Sequence, residues 1–578
     1  MSFADWSIVI GYAVLSIGIG VAFSRRAGRS LGDYFLSGRS LPWWLVGSSM
    51  VATTFASDTP LAITEYVRED GVWRNWFWWT LAISHVLAAV VFSRLWHRAG
   101  VLTDNELIEL RYSGRPAAFL RGFKAAYFST LYNFIVMAWV TAAMSTVLSC
   151  FLDIDLRLAV VVCMAVAVLY SLLGGFWGVV LTDMLQFCVA LVGSIVFAVL
   201  AADRVGGMQR LVDRLSLSGE HLLDFVPGAD APPEFWYTFL VFVGLMWWSS
   251  HNADGGGYII QRMMSARDER HALLGTLWFV LAHYVLRLWP WVVVALVSMV
   301  LLPELGGEIS SHKEAYPETM ARILPSGLRG LFVAVFLAAF MSTVDTHLNW
   351  GASYVVNDLY KRFIKPQASQ RHYVLVSKLT MLLLAVVAGA VALLIESITG
   401  AWELVWAMGA GVGAVLILRW FWWRINAWSE ISALTTSLVL GVVLHLLDWR
   451  DDLAVPLYLK AVLVVGGSVA VWLPVTLLTR PEPRAVLDRF CQRVRPPGRW
   501  PQRSAPSGIG RRMLIAWLGG VGLVYGGLFT VGSLVLQRPG QLAWTLPLGL
   551  AGLVGLGYGL RRRLRAAAEP SGTADRTG

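Results

Sequence analysis

Along this chain, runs of about twenty mainly apolar residues alternate with short polar stretches. A helix rising 1.5 Å per residue needs that length to cross the hydrocarbon of a bilayer. Fifteen such segments can be read, at 5–23, 43–64, 75–96, 122–148, 156–175, 179–201, 235–257, 274–302, 328–360, 374–396, 401–423, 430–448, 457–479, 513–536 and 543–561. Most are unbroken, but two are not. The second contains Thr53-Thr54-Phe55-Ala56-Ser57-Asp58-Thr59-Pro60, which puts hydroxyls, a carboxylate and a proline at bilayer depth. The seventh contains Ser249-Ser250-His251-Asn252-Ala253-Asp254-Gly255-Gly256-Gly257, and each glycine there weakens a helix by roughly 1 kcal/mol relative to alanine. Irregular backbone at that depth persists only where protein buries it or where it lines an aqueous cavity. The two segments are five apart, an odd offset that reverses their direction through the membrane. Paired interrupted helices in corresponding positions of two inverted halves point to a transporter's midplane binding site. The competing reading is that segment seven ends near Ser249 and its glycines form a loop.

Composition agrees with the pattern. Of 578 residues, 57% are hydrophobic and 15% charged, against roughly 45–50% and 25% in an average soluble domain. A soluble enzyme, a disordered chain and a secreted disulfide scaffold are thereby excluded. There is no GxSxG, no HExxH and no phosphate-binding loop, and the four cysteines (Cys150, Cys163, Cys188, Cys491) have neither zinc nor CxxC spacing. No enzyme activity and no cofactor are expected. The net charge of +10 fits loop arginines obeying the positive-inside rule better than nucleic-acid binding. With the N-terminus outside and the cations near segment ends counted with the adjoining loops, inside loops hold 33 Lys and Arg and outside loops 11, leaving Arg287, Lys378 and Lys460 well inside helices. That bias predicts a multi-pass cell-membrane protein with its C-terminus in the cytoplasm. The first segment lacks a basic leader region and a cleavage site, so it reads as a retained helix. The Pro-rich basic stretch Arg480–Arg512 reads as a solvated cytoplasmic linker, and the tail after Arg565 as disordered.

Four stretches carry a family likeness. They are Gly38-Arg39-Ser40-Leu41-Pro42-Trp43-Trp44 leading to Ala56-Ser57-Asp58; Gly174-Gly175 followed by Thr182-Asp183-Met184-Leu185-Gln186; Tyr258-Ile259-Ile260-Gln261-Arg262; and Ala338-Ala339-Phe340-Met341-Ser342-Thr343-Val344-Asp345 continuing to Asn357-Asp358-Leu359-Tyr360. In this order the chain resembles the sodium:solute symporter family, including sodium/proline and sodium/sugar symporters, over roughly residues 5–480. The resemblance implies an all-α, leucine-transporter-like fold of two inverted five-helix repeats. The expected parts are an N-terminal helix and first cytoplasmic loop (1–42), a first repeat (43–201), an extracellular loop (202–234), a second repeat (235–425), C-terminal helices (426–479), the basic loop (480–512), two last helices (513–561) and a cytoplasmic tail (562–578).

The same resemblance implies a sodium site of the carbonyls of Ala56, Thr59 and Ala339 and the hydroxyls of Ser342 and Thr343. Such oxygens suit a hard cation that must shed its hydration shell. Asp58 and Asp183 are candidates for ion coupling; Asp58 could instead hold a substrate amine or cap the half-helix that follows, and Asp183, at the cytoplasmic end of segment six, could instead be an interfacial partner of a helix N-terminus. Substrate contacts are expected from Ser57, Tyr132, Asn133, Ser249 and Asn252. Asn252 stands where the family's sugar carriers close an aromatic over substrate, a departure that disfavours a known sugar pocket. Arg287, midway along segment eight, needs a partner, because an unpaired charge there costs about 2.5 kcal/mol or more. Asp254, Asp58 or a substrate carboxylate could serve. The expected function is sodium-coupled import of a small polar solute, an amino acid or organic acid before a sugar. Proton coupling through Asp58 and a transporter-like sensor are the alternatives.

Overall fold

A computed structural model describes residues 1–27, 30–152, 155–217, 221–303, 309, 311–395, 397–449, 455–498, 500–501 and 510–566. The tail expected after Arg565 lies outside the described residues beyond Ala566. Helices account for nearly all regular structure. In chain order we label α1 Phe3–Ala27, α2 Trp43–Thr53 and α3 Thr59–Asp70. Next come α4 Val72–Ala99, α5 Gly114–Phe151 and α6 Leu156–Arg204. α7 is Pro233–Val241, continuing helically to Ser249, and α8 is Gly257–Ser265. There follow α9 Glu269–Leu301, α10 Leu328–Ile364 and α11 Gln370–Ala392. α12 is Ile398–Gly409, α13 Gly413–Leu418, α14 Ala427–Trp449, α15 Leu457–Leu478, α16 Arg484–Val494, α17 Arg511–Val535 and α18 Leu542–Ala566.

Among the described residues, eleven helices are long and apolar enough to cross a membrane. The other four expected segments are not among them. Two are the interrupted ones, split into α2/α3 and α7/α8. A third, near 401–423, is split into α12 and α13, a break absent from the sequence expectation. The fourth is the first part of α6, described as an apolar helix over Arg157–Leu169; the 49-residue run of α6 turns at Gly175 (φ 52°, ψ −169°), a conformation open to glycine and strained for other residues.

The two interior breaks meet each other. The amide of Gly411 donates to Ser249 O at 2.8 Å. A Cβ on Gly413 would lie 2.3 Å from Ser250 O, so only glycine permits this approach. α2 packs against α6, α9 and α10 at the centre of the molecule. α17 and α18 form a hairpin laid against α4 and α9. Tyr525 Oη donates to Trp79 O at 3.0 Å, and Trp289 Nε1 to Leu528 O at 2.9 Å.

The stretch 480–512 is more than a solvated linker. Its α16 turns Leu487, Phe490, Cys491 and Val494 inward while its arginines stay outside. The Arg111 guanidinium lies 5.4 Å from the Phe490 ring and 5.0 Å from that of Trp500. Apolar positions three and four apart form a stripe wide enough to dock a helix and too narrow to span a bilayer.

Candidate functional site

The first helix break frees backbone carbonyls, since the last turn of a helix has no intrahelical donors. Two neighbouring helices supply donors to the end of α2. From α9, Arg287 donates through Nη1 to Val51 O at 3.0 Å and through Nη2 to Thr54 O at 2.5 Å. From α10, Ser342 Oγ donates to Ala52 O at 3.1 Å and Thr343 Oγ1 to Thr53 O at 3.0 Å. Four successive carbonyls are thus satisfied across the break. A cation at a helix C-terminus also offsets the negative end of the macrodipole. The Arg287 guanidinium lies 5.6 Å from the Phe55 ring and 5.3 Å from that of Trp291.

Asp254 is therefore not the partner of Arg287. It sits 2.6 Å from Arg419 Nη2 and accepts from Trp420 Nε1 at 2.9 Å. Arg419 in turn meets Glu430 at 3.2 Å, and Lys124 approaches Glu430 at 3.5 Å. The glycines after Asp254 carry it past the end of α7 toward α13, away from α9. This cluster borders a small cavity of about 20 Å³ shared by Asp104, Lys124, Asp254, Tyr354 and Arg419. Burial pushes the Asp104 carboxyl above its ordinary range, and Tyr354 donates a hydrogen bond to it.

A second cavity, of about 220 Å³, lies at the break of α2 and α3. Asp58 and Arg287 both line it, as do Ala56, Thr59, Tyr132, Asn252 and Thr343. Asp58, 2% exposed, accepts from Trp402 Nε1 at 2.8 Å through Oδ2, while its Oδ1 accepts no hydrogen bond. Arg287 Nε, Ser250 Oγ, His251 Nδ1 and Trp406 Nε1 are likewise buried without a hydrogen-bond partner, and their residues line the same cavity. Buried polar atoms are seldom left so, and each is a place for a ligand or water to bind.

The remaining expected residues divide. Ala56 and Ala339 border one narrow crevice beside the larger cavity. Ser342 and Thr343 also donate to Ala339 O, at 3.0 and 3.2 Å, so the hydroxyls converge on that carbonyl. Ser57 donates to Val140 O at 2.8 Å and ties the break to α5. Asn133 is bonded to His347, through Nδ2 to its carbonyl at 2.9 Å and through Oδ1 to its Nδ1 at 2.6 Å. Ser249 is buried and presents its carbonyl to Gly411. None of these three lines the larger cavity. Asp183 pairs with Arg262 at 3.1 Å and accepts from Ser49 deep in the protein. His251 meets Tyr132 Oη at 3.1 Å and His283 meets Thr54 Oγ1 at 3.0 Å. Sequence reasoning missed Trp402, Trp406 and Arg419, all on the unexpectedly broken segment. An arginine near the end of an apolar run looks like an ordinary flank, and tryptophans look like interface anchors.

The geometry combines buried carbonyl and hydroxyl oxygens, which suit a sodium ion, with a largely apolar cavity at a helix break that holds a buried acid and a buried base. Comparison with known proteins agrees. The chain is 27% identical over 489 residues to a sodium/mannose cotransporter of Bos taurus, covering 78% of this chain and 80% of the relative. It is 25% identical over 506 residues to a sodium/glucose cotransporter of Vibrio parahaemolyticus, covering 81% and 91%. A solved Na⁺-coupled sialic acid symporter in a substrate-bound, outward-open state shares the fold, with TM-score 0.67 at 20% identity over 83% of this chain and 99% of that one. The model of the sodium:solute symporter family matches residues 34–439, and the chain belongs to that family of membrane transporters, with Na⁺ as its coupling ion.

Proposed function

We propose that this protein imports a small polar organic solute with Na⁺ by alternating access, an amino acid or organic acid before a sugar. The observation that carries the reading is the 220 Å³ cavity at the α2/α3 break, with Asp58 Oδ1 and Arg287 Nε unpartnered in its wall. A neutral sugar does not require a buried acid and a buried base together; a charged or zwitterionic solute uses both. A sugar is the second reading, favoured by the names of the relatives.

The coupling ion is proposed to bind at Ala56, Thr59, Ala339, Ser342 and Thr343. Both hydroxyls already converge on carbonyls of α2 and α10, and a cation there would turn their lone pairs inward. Asp183, held by Arg262, is proposed to act in ion release. The architecture proposed is fifteen spans, with inverted repeats at 43–201 and 235–425, the N-terminus outside and the C-terminus cytoplasmic. The support is the charge bias of the loops and the paired breaks of the second and seventh segments.

The test is uptake into proteoliposomes of amino acids, organic acids and sugars, with and without a Na⁺ gradient. Accumulation of one class only under the gradient is expected. Ser342→Ala with Thr343→Ala should lower apparent Na⁺ affinity by about tenfold or more while the protein still folds, because two oxygen ligands are lost. Unchanged sodium dependence in that variant would sink the site. Topology is tested by a cysteine at Ser504, outside the described residues, on a cysteine-free background. Labelling from outside intact cells by an impermeant reagent would invert the map.

A further inference from the structure

Resting on that reading of the cavity as the solute site, we propose that the transported solute carries a positively charged nitrogen, an amine or a quaternary ammonium, seated at Asp58 against the indole-rich wall of the cavity.

Three observations carry this. First, among the described residues Asp58 is buried with no cation at ion-pair distance: Oδ2 takes the Trp402 indole N–H and Oδ1 is left without a partner, with the Trp139 indole beside the same carboxylate and Arg287 acting on it only from elsewhere in the cavity wall. A buried carboxylate without a counter-ion is costly, and a cationic ligand removes that cost. Second, the charged group nearest in kind, Arg287, is committed elsewhere. Its Nη1 and Nη2 neutralise the carbonyl end of α2, and its face is covered by Phe55 and Trp291. Third, the cavity holding Asp58 is lined by Trp78, Trp139, Trp402 and Trp406 together with Tyr132 and Tyr258. The Trp139 and Trp402 rings stand 6.5 Å apart at 60°.

Aromatic faces attract cations through their quadrupole, and walls of several such rings recognise ammonium groups. The same walls argue against Asp58 as a sodium ligand. A hard cation seeks several oxygens, and those lie around Ala339, Ser342 and Thr343. A sugar would find hydrogen-bonding groups in Ser250, His251 and Asn252 but would leave the carboxylate of Asp58 without a counter-charge. A simple carboxylate would meet the charge of Asp58 with no free guanidinium fork to offset it. Arg287 Nε and Trp406 Nε1, unpartnered donors on the same cavity, leave room for an acceptor oxygen on the solute's other end. Both choline-like cations and zwitterions such as betaines or amino acids meet this description.

Intrinsic tryptophan fluorescence of the purified full-length protein, in NaCl and in KCl, reads the binding. The probes are choline, tetramethylammonium, glycine betaine and proline, set against the uncharged carbon isostere of choline, glucose and succinate. At least one ammonium compound should bind about tenfold or more tighter than every neutral or purely anionic probe. In Asp58→Asn that preference should shrink to less than about threefold, with the melting temperature monitored alongside. Betaine and proline binding above choline would assign a zwitterion, and the reverse a simple cation; either supports the proposal. Glucose, succinate or the carbon isostere binding as tightly as the best ammonium compound overturns it. So does an ammonium preference unchanged in folded Asp58→Asn, or no ammonium binding at all. If Asp58→Asn does not fold, the comparison of choline with its isostere on the native protein decides alone. Ammonium binding equal in NaCl and KCl would instead refute sodium coupling and leave this proposal standing.

Discussion

Arg287 and Arg419 are both buried, at 1% and 2% exposure, and are held by different chemistry. Arg287 is surrounded by backbone carbonyls and aromatic faces. Arg287→Gln keeps a hydrogen-bonding group and cannot reach both Val51 O and Thr54 O, so one buried carbonyl loses its donor. The expected cost is about 1–3 kcal/mol, seen as a lower melting temperature. Sodium affinity should fall with it, because the same turn of α2 meets Ser342 and Thr343. A melting temperature equal to the parent's would show that the capping contributes nothing. Arg419 is held by Asp254 and Glu430 instead. Asp254→Leu removes one of the two carboxylates that hold Arg419 and leaves Glu430 at 3.2 Å, so the loss should not exceed the about 3–5 kcal/mol typical of breaking a buried pair. Replacing both, with Arg419→Met added to Asp254→Leu, still leaves Glu430 near Lys124 and Tyr112 and should recover most of the loss. Thermal unfolding of the two variants in parallel checks this, and failure of the double variant to exceed the single one would refute the pairing.

Polar contacts between elements gather where helices end. Glu109, on the short helix Glu106–Arg111, joins the start of α5 to the end of α10 through Arg121 at 2.7 Å and Arg362 at 2.9 Å. Burial alone would raise its carboxyl, but hydrogen bonds from Arg362 and Arg121 outweigh burial and hold it below the ordinary value of 4.5. A carboxylate with a lowered folded-state pKa stabilises the fold above its unfolded value and loses that contribution as pH falls through the folded value. Stability should therefore decline below about pH 4.5, and Glu109→Gln should be less stable at pH 7 and show a shallower acid decline. Equal slopes for parent and variant would refute the assignment. Docking of α16 is a second test at this scale. Phe490→Glu puts a charge into the contact with Arg111, Trp420 and Trp500, and faster amide exchange confined to residues 484–494 is the expected reading.

Across the whole molecule, the two cavities lie end to end. Tyr132, His251, Asn252 and Tyr258 line both, forming the partition between them. On one side stand Asp58 and the tryptophans; on the other, the ion pairs of Asp254, Arg419, Glu430 and Lys124 join α13, α14, α5 and the α7/α8 break. The alternating access proposed above requires one barrier to open while the other holds, and a network of buried charges can supply such a barrier. Breaking it with Asp254→Leu should expose Leu416, which lines the small cavity and is 4% exposed. A cysteine at Leu416 on a cysteine-free background should react with a thiol reagent several-fold faster in that variant. An unchanged rate would mean that the charges stabilise the fold without closing a path.

Segment length, apolar composition and the interruptions at Asp58 and Asp254 are properties of local sequence. A chain in hydrocarbon must satisfy its own backbone, so length and breaks can be read residue by residue. The all-helical membrane fold, the breaks of segments two and seven and the family motifs around Asp58 and Ser342-Thr343 were legible for that reason. The partners of the deep charges were not. Arg287 could be seen to need a partner, and Asp254, Asp58 or a substrate carboxylate were the candidates that the order of segments left open. The choice was made in three dimensions, where the end of α2 offers Arg287 two carbonyls and the glycines after Asp254 swing it toward Arg419. The break between α12 and α13 was hidden as well, because Gly409-Ala410-Gly411-Val412-Gly413 reads as small residues in an apolar run. Its cause is the approach of Ser249 and Ser250 from another helix, a contact that no window along the chain contains. Periodicity reports what each residue does to its own backbone; which buried polar group meets which is decided when the helices pack.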